Sequence, residues 1–261
     1  MKGKSHLEEV RHFHDQDAAQ YISNRYRTDS CEGLAYTTRK QIILDNISTH
    51  WERILDMGCG PGILTPDLIK NNRHVFNIDL SFEMIQLARE NVGPGQDRLS
   101  SNYMVGDVCN VGMKDSQFDC ILCIGVTYYV SDLTSLIKEI RRLIRPGGTT
   151  IIQVNKITLP SVYKKLIPVY QAAKRYLTGK KYDAITFSFN VFSYNMFIEE
   201  LKSNDFEIDE VHFYDFRLPF IDLILPKLSL KLSAYMFKNR HRKMVNMVSN
   251  GVLVKAISTK S

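Results

Sequence analysis

The chain has 261 residues, 44% of them hydrophobic and 24% charged, which suits a globule with a sizeable core and excludes a low-complexity or disordered chain. No run reaches the ~18 apolar residues of a membrane span, and the first nine residues hold no apolar leader, so composition speaks against a membrane-spanning or secreted protein. The net charge of +6 is unevenly spread: residues 156–182 hold seven Lys/Arg and no acid, residues 217–243 hold seven and one acid, and their joint +13 leaves −7 for the rest.

Residues 6–25 read as helical, with Leu7, Val10, Phe13, Ala18, Tyr21 and Ile22 spaced for one apolar face. A second helix is predicted over 34–47, carrying Ile42, Ile43 and Ile47. Residues 53–57 form a short buried strand that runs into Gly58, Gly60 and Gly62 at alternate positions. A helix is expected to open at Pro61 or Gly62, with Ile63, Leu64, Leu68 and Ile69 on one face. Such a strand, turn and helix start make a crevice where backbone approaches a ligand closely and the first helical N–H groups are free. The spacing D-x-G-x-G-x-G differs from the dinucleotide pattern G-x-G-x-x-G, and Asp56 at the strand end would meet a pyrophosphate with like charge.

Residues 74–79 make the next strand, and Ser81 caps a helix over 82–91. Asp79, about twenty positions past the turn, stands at a neighbouring strand tip, where it can accept ribose hydroxyl protons. Gly93, Pro94 and Gly95 mark a loop before a third strand at 99–105, which ends in Gly106, Asp107 and Val108. Residues 118–124 are almost continuously apolar, as in a strand buried on both faces. Cys120 and Cys123 fall on opposite faces of it, so the five cysteines read as free thiols of a reducing cytoplasm. Asp132 caps a helix over 133–144, which stops at Arg145, Pro146, Gly147 and Gly148 before a strand at 149–154. A helix at 193–203 and strands at 205–213 and 251–257 complete the alternation, which implies a largely parallel sheet covered on both faces.

Residues 55–62, Leu-Asp-Met-Gly-Cys-Gly-Pro-Gly, with Asp79, Asp107 and the Arg-Pro-Gly-Gly turn at later strand and helix ends, resemble the class I S-adenosylmethionine (SAM) dependent methyltransferases. The nearest likeness is to the type-11, ubiquinone/menaquinone and natural-product branch. The resemblance implies an α/β, Rossmann-like seven-stranded sheet of order 3-2-1-4-5-7-6 with the last strand antiparallel. It implies one domain over 1–261: N-terminal cap helices at 1–50, a SAM-binding core at 51–155, and helical insertions after strands five and six, at 156–192 and 214–249. SAM is the implied cofactor and S-adenosylhomocysteine the product. Asp56, Gly58, Cys59, Gly60 and Gly62 are implied around the turn, and Asp79 at the ribose with Leu80 and Met84 beside it. Asp107 and Val108 are implied at the adenine, Ile124 and Gly125 at the methionine portion, and Tyr21, Tyr26 and Arg39 from the cap. Tyr128 and Tyr129 would lie beside the methyl group. His212, near the end of strand six, is a candidate base. No metal-ligand cluster stands out, so transfer is expected to be metal-independent and in line.

Both insertions leave from the sheet edge that carries the glycine turn, so they are expected to wall and roof the acceptor pocket. Residues 159–177 and 218–237 mix apolar residues at helical spacing with lysines and arginines. That pattern suits a hydrophobic or membrane-associated small-molecule acceptor and an anionic membrane surface. It equally suits helices that bury apolar faces on the core and leave their lysines in water. An Asn/Asp-Pro-Pro-Tyr signature is absent after strand four, which argues against methylation of DNA-base amino groups. A polyanion such as tRNA is the competing substrate, ranked below the small molecule. A SAM-binding protein without catalysis is the competing class. The expected location is the cytoplasm, either free or peripheral on the inner face of a membrane; the oligomeric state is left open.

Overall fold

The computed structural model describes residues 5–92, 100–155, 169 and 192–259. The predicted loop at Gly93, Pro94 and Gly95, the start of the third strand at Leu99 and nearly all of the first basic insertion lie outside the described residues.

Helix α1 (His6–Asp17) opens on a capping box in which Ser5 and Glu8 exchange side-chain-to-backbone hydrogen bonds. A single 3-10 turn (Ala18–Gln20) links it to α2 (Tyr21–Arg25). Helix α3 (Cys31–Asp45) begins three residues before the apolar pattern suggests, because Ser30 caps it by accepting the Gly33 N–H at 3.0 Å. Strand β1 (Arg53–Met57) follows, then α4 (Thr65–Leu68), β2 (His74–Asp79), α5 (Phe82–Asn91), β3 (Ser101–Val105) and β4 (Phe118–Cys123). The second half runs α6 (Leu133–Leu143), β5 (Ile144–Asn155), α7 (Tyr194–Ser203), β6 (Phe206–Asp215), α8 (Pro219–Ile224), α9 (Pro226–Lys238), α10 (Lys243–Asn246) and β7 (Gly251–Ser258).

The seven strands form one sheet of order β3-β2-β1-β4-β5-β7-β6. The first five neighbours pair in parallel, and β7 runs antiparallel to both β5 and β6. Strand residues alternate between two apolar layers. Leu55, Met57, Ile121 and Cys123 pack with Leu136, Ile137 and Ile140 of α6 and Phe197 and Leu201 of α7. Ile54, Cys120 and Leu122 pack on the other face with Ile42 and Ile43 of α3 and Leu64 and Leu68. Cys120 and Cys123 therefore part to opposite faces, and all five cysteines are free thiols.

Two sequence expectations are corrected. The helix after β1 does not open at Pro61 or Gly62: Gly58, Gly60 and Gly62 take φ of 75°, 53° and 68°, and this left-handed path postpones helix to Thr65. The loop's N–H groups are also not free. Those of Gly58 and Cys59 donate to the Ile78 carbonyl, that of Gly60 to Asp79, and that of Gly62 to the Cys59 carbonyl. Secondly, Arg145 to Gly148 do not separate α6 from β5. Strand pairing already begins at Ile144 opposite Phe118, and the register then shifts before Cys120 meets Thr149. No helix among the described residues is long and apolar enough to cross a membrane.

Candidate active site

A cleft opens at the C-terminal edge of the parallel strands, where the sheet order reverses between β1 and β4. Its empty volume is about 980 Å³ including the open mouth, within the size range of cofactor and small-molecule sites. One wall is the row of strand ends: Gly58 and Gly60 after β1, Asp79 and Leu80 at β2, Asp107 and Val108 after β3, and Ile124 and Gly125 after β4. Met84 of α5 completes it.

Gly60 explains why this wall can meet a ligand. A Cβ there would have nothing within 4 Å, so the residue's left-handed backbone borders open space. Gly62 serves packing instead: its Cβ would lie 2.8 Å from the Ala88 Cβ, so only glycine lets the loop sit on α5. Asp79 is pinned from two sides, with Oδ2 accepting the Gly60 N–H at 2.8 Å and Oδ1 the Ser81 N–H at 2.9 Å. Each oxygen keeps a further lone pair for a ligand hydroxyl. Burial raises the Asp79 carboxyl's pKa, and these backbone bonds oppose the rise. Asp107 holds its own turn through Oδ1, which accepts the Cys109 N–H at 2.9 Å.

The opposite wall comes from the N-terminal helices. Leu7, Val10 and His14 of α1, Tyr21 and Arg25 of α2, and Tyr36 and Arg39 of α3 face the strand ends. Arg39 is buried, donates to Gln153 Oε1 at 2.7 Å and lies 4.4 Å above the Tyr36 ring. The same guanidinium opposes the rise in pKa that burial gives the Tyr26 and Tyr214 phenols. Arg25 pairs with Asp17 at 2.7 Å and covers the Tyr21 ring at 4.1 Å. Tyr128 and Tyr129 close the end beyond β4, with the His14 ring edge-on to Tyr129 at 4.5 Å. His6 Nε2 donates to the Tyr129 carbonyl at 2.8 Å. Burial pushes His14 down to about 4, with Asp17 opposing, so its imidazole is neutral near pH 7. Burial pushes the Tyr129 phenol up to about 12 and raises that of Tyr128, so both are hydrogen-bond donors rather than bases.

The structure thus brings together Gly58, Gly60, Asp79, Leu80, Met84, Asp107, Val108, Ile124, Gly125, Tyr21, Arg39, Tyr128 and Tyr129. Five other predicted residues are not on the cleft lining. Asp56 is buried under the floor, where burial and the neighbouring Asp79 push its carboxyl up to about 7 while Arg39 opposes. Cys59 packs with Ile85 and Ala88, Gly62 lies on α5, and Tyr26 stands behind Tyr36, edge-on at 5.4 Å. His212 lines a different groove, with Phe213, Arg240 and Asn246, and bonds Glu210 and Asn46. Sequence reasoning missed Leu7, Val10, Arg25, Tyr36 and Gln153. Gln153 was within reach of the strand-end rule, since it lies near the end of β5.

Residues 55–152 match a family described as methyltransferase domain. A ubiquinone biosynthesis O-methyltransferase of Coxiella burnetii is 34% identical over 116 residues, 44% of this chain and 48% of that protein. The chain therefore spans about half the length of the curated relatives it matches. Among solved structures, the magnesium protoporphyrin IX methyltransferase of Synechocystis PCC 6803, with bound S-adenosylhomocysteine, superposes with a TM-score of 0.64 at 14% identity, covering 97% of this chain and 100% of that one. The [4+2]-cyclase SpnF superposes with a TM-score of 0.65 at 13% identity, covering 99% and 98%. Residues 55–152 are thus similar to the methyltransferase domain family, and they lie within a seven-stranded sheet whose strand order is that of the class I SAM-dependent methyltransferase fold.

Proposed function

We propose that the chain binds SAM in this cleft and transfers its methyl group to a hydrophobic small molecule. The observation that carries the reading is the row of strand ends. Open backbone at Gly60, a pinned carboxylate at Asp79 and a second acid at Asp107 follow one another along one edge, with Leu80, Met84 and Val108 between them. This suits a ligand with a ribose between a flat base and a charged tail. When bound, SAM supplies an electrophilic methyl group. Asp79 takes the ribose hydroxyls, Asp107 and Val108 take the base, and Gly58, Gly125 and Arg39 surround the amino-acid tail.

The acceptor then fills the rest of the cleft. Leu7, Val10, Val130 and the rings of Tyr21, Tyr36, Tyr128 and Tyr129 give that part an apolar, aromatic wall, with His14 as a neutral ring nitrogen. Such a wall excludes water and orients a hydrophobic acceptor for in-line attack. The chain acts as one unit in this reading: the helices before β1 cover the donor and 51–155 bind it.

Calorimetry with S-adenosylhomocysteine tests the donor half: micromolar binding is expected, lost or weakened at least tenfold in Asp79→Ala, and no binding by the wild type sinks the reading. Turnover needs its own test, because the same fold also carries a cyclase. Label from methyl-labelled SAM should appear in a phenolic or quinol acceptor with chelator present, and binding without transfer across such a panel would favour a non-catalytic protein.

A further inference from the structure

The segment between β6 and β7 is fastened to the body by its polar side. Helix α9 turns Ser229 and Ser233 inward, both buried. The Cys31 thiol of α3 donates to Ser229 Oγ at 3.4 Å, and the Ser233 hydroxyl donates to the Phe216 carbonyl at 3.1 Å. The opposite stripe of α9, at three- and four-residue spacing, is Leu228, Lys231, Tyr235 and Lys238, all exposed. Apolar exposure is greatest on and just past the short helices either side, at Ile224 (71%) in α8, Met244 (83%) in α10 and Met247 (66%) after it. Lys227, Arg240, Arg242 and Lys243 are exposed beside them. Asp222 is the one acid in this segment.

Three kinds of partner could cover such a face, and the charge separates them. A second copy docked through it would set six cations against six, a like-charge juxtaposition that opposes pairing. A nucleic acid would use the cations but leave Ile224, Leu228, Met244 and Met247 against water or phosphate. An anionic bilayer uses both, since apolar side chains enter the headgroup boundary while Lys and Arg meet lipid phosphates. We propose that the exposed face of α8 to α10 docks on an anionic lipid surface. Helix α9 packs on α3, whose Tyr36 and Arg39 line the cleft, so docking brings the cleft within one helix of the bilayer. The proposal does not rest on the methyl-transfer reading.

The test is co-sedimentation of the full chain with phosphatidylcholine vesicles, with and without phosphatidylglycerol. Binding is expected only to the anionic vesicles and should fall with added salt. Lys231→Glu with Lys238→Glu should weaken partitioning by at least about thirtyfold. Met244→Ser with Met247→Ser should weaken the fraction that survives at raised salt. Unchanged circular-dichroism melts show that both variants fold. Wild-type protein left in the supernatant with anionic vesicles at low salt overturns the proposal, as does charge reversal without effect. A dimer that dissociates on Met244→Ser, or RNA binding without vesicle binding, overturns it in favour of the other partners. Vesicle binding by a protein that fails to bind S-adenosylhomocysteine would sink the methyl-transfer reading and leave this one standing.

Discussion

Two glycines two residues apart illustrate how different a single position's demands can be. Gly62→Ala adds a Cβ 2.8 Å from Ala88 to a left-handed backbone, so strain and overpacking should together destabilise the fold by about 2–4 kcal/mol. Gly60→Ala meets no neighbour and should lose only about 1–2 kcal/mol from backbone strain. Its methyl enters the cleft, so S-adenosylhomocysteine affinity should fall further than stability does. Denaturant melts beside calorimetry separate the two, and equal losses of affinity per unit of stability would contradict the assignment. Asp56 carries a pH prediction. Its carboxyl is pushed up to about 7, above its unfolded value, so the folded state binds the extra proton. The associated stability is fully present below about pH 4 and is lost as pH rises through about 7. Asp56→Asn removes that dependence, so its melting temperature should gain on the wild type between pH 5 and pH 8; parallel pH profiles would show that Asp56 does not carry the proton.

Elements were legible where one residue type is dictated by backbone position. Ser81 and Asp132 cap their helices through Met84 and Thr134 N–H groups, and a near-continuous apolar run marks β4, which is buried along its whole length. The strand-end acids were legible for the same reason. The cap helices were not, because an apolar stripe reads alike whether it faces a core or a cavity: nothing in the sequence separates Tyr36, on the cleft, from Tyr26, behind it. His212 misled because a strand-end position predicts an edge and not a direction. The extended β5 was hidden because Arg-Pro-Gly-Gly is equally a helix stop and a strand irregularity; here Gly147 takes φ of 70° within the paired stretch. What holds that irregular start is Asp119, a buried residue read only as part of an apolar run. Its Oδ2 accepts the N–H groups of Glu52 and Arg53 at 2.9 and 2.8 Å, and its Oδ1 pairs with Arg145 at 2.8 Å. Asp119→Ala leaves two amides without that acceptor and should destabilise by about 2–4 kcal/mol. Asp119→Asn keeps an acceptor and should lose less, and chemical denaturation showing equal losses would mean that the ion pair dominates.

At the scale of the molecule, the cleft has one rigid wall and one lightly held wall. The strand ends belong to a continuous sheet whose central strands, β1 and β4, are almost wholly buried. Helix α1 contributes Leu7, Val10 and His14 to the cleft, yet Val10 is its one buried residue. Polar contacts tie it down as well: Asp15 accepts from Ser81 Oγ at 2.5 Å, His6 meets the Tyr129 carbonyl, and Asp17 pairs with Arg25 of α2 at 2.7 Å. Elements with few buried apolar groups open at low free energy, well below global unfolding. A ligand between the two walls adds contacts to α1 that it otherwise lacks, whereas the sheet gains none it needs. Ligand binding stabilises the folded chain by about 2.7 kcal/mol at a hundredfold excess over the dissociation constant. That gain should appear first as slower local opening of α1 to α3. Hydrogen exchange with and without S-adenosylhomocysteine should therefore show protection rising most over α1 to α3 and in the loop at Gly60. The amides of β4 and β5, already protected by the sheet, should change only as global stability does. Protection confined to the strand ends, with α1 exchanging as before, would mean that the N-terminal helices do not close on the ligand and that the wall they form serves the acceptor alone.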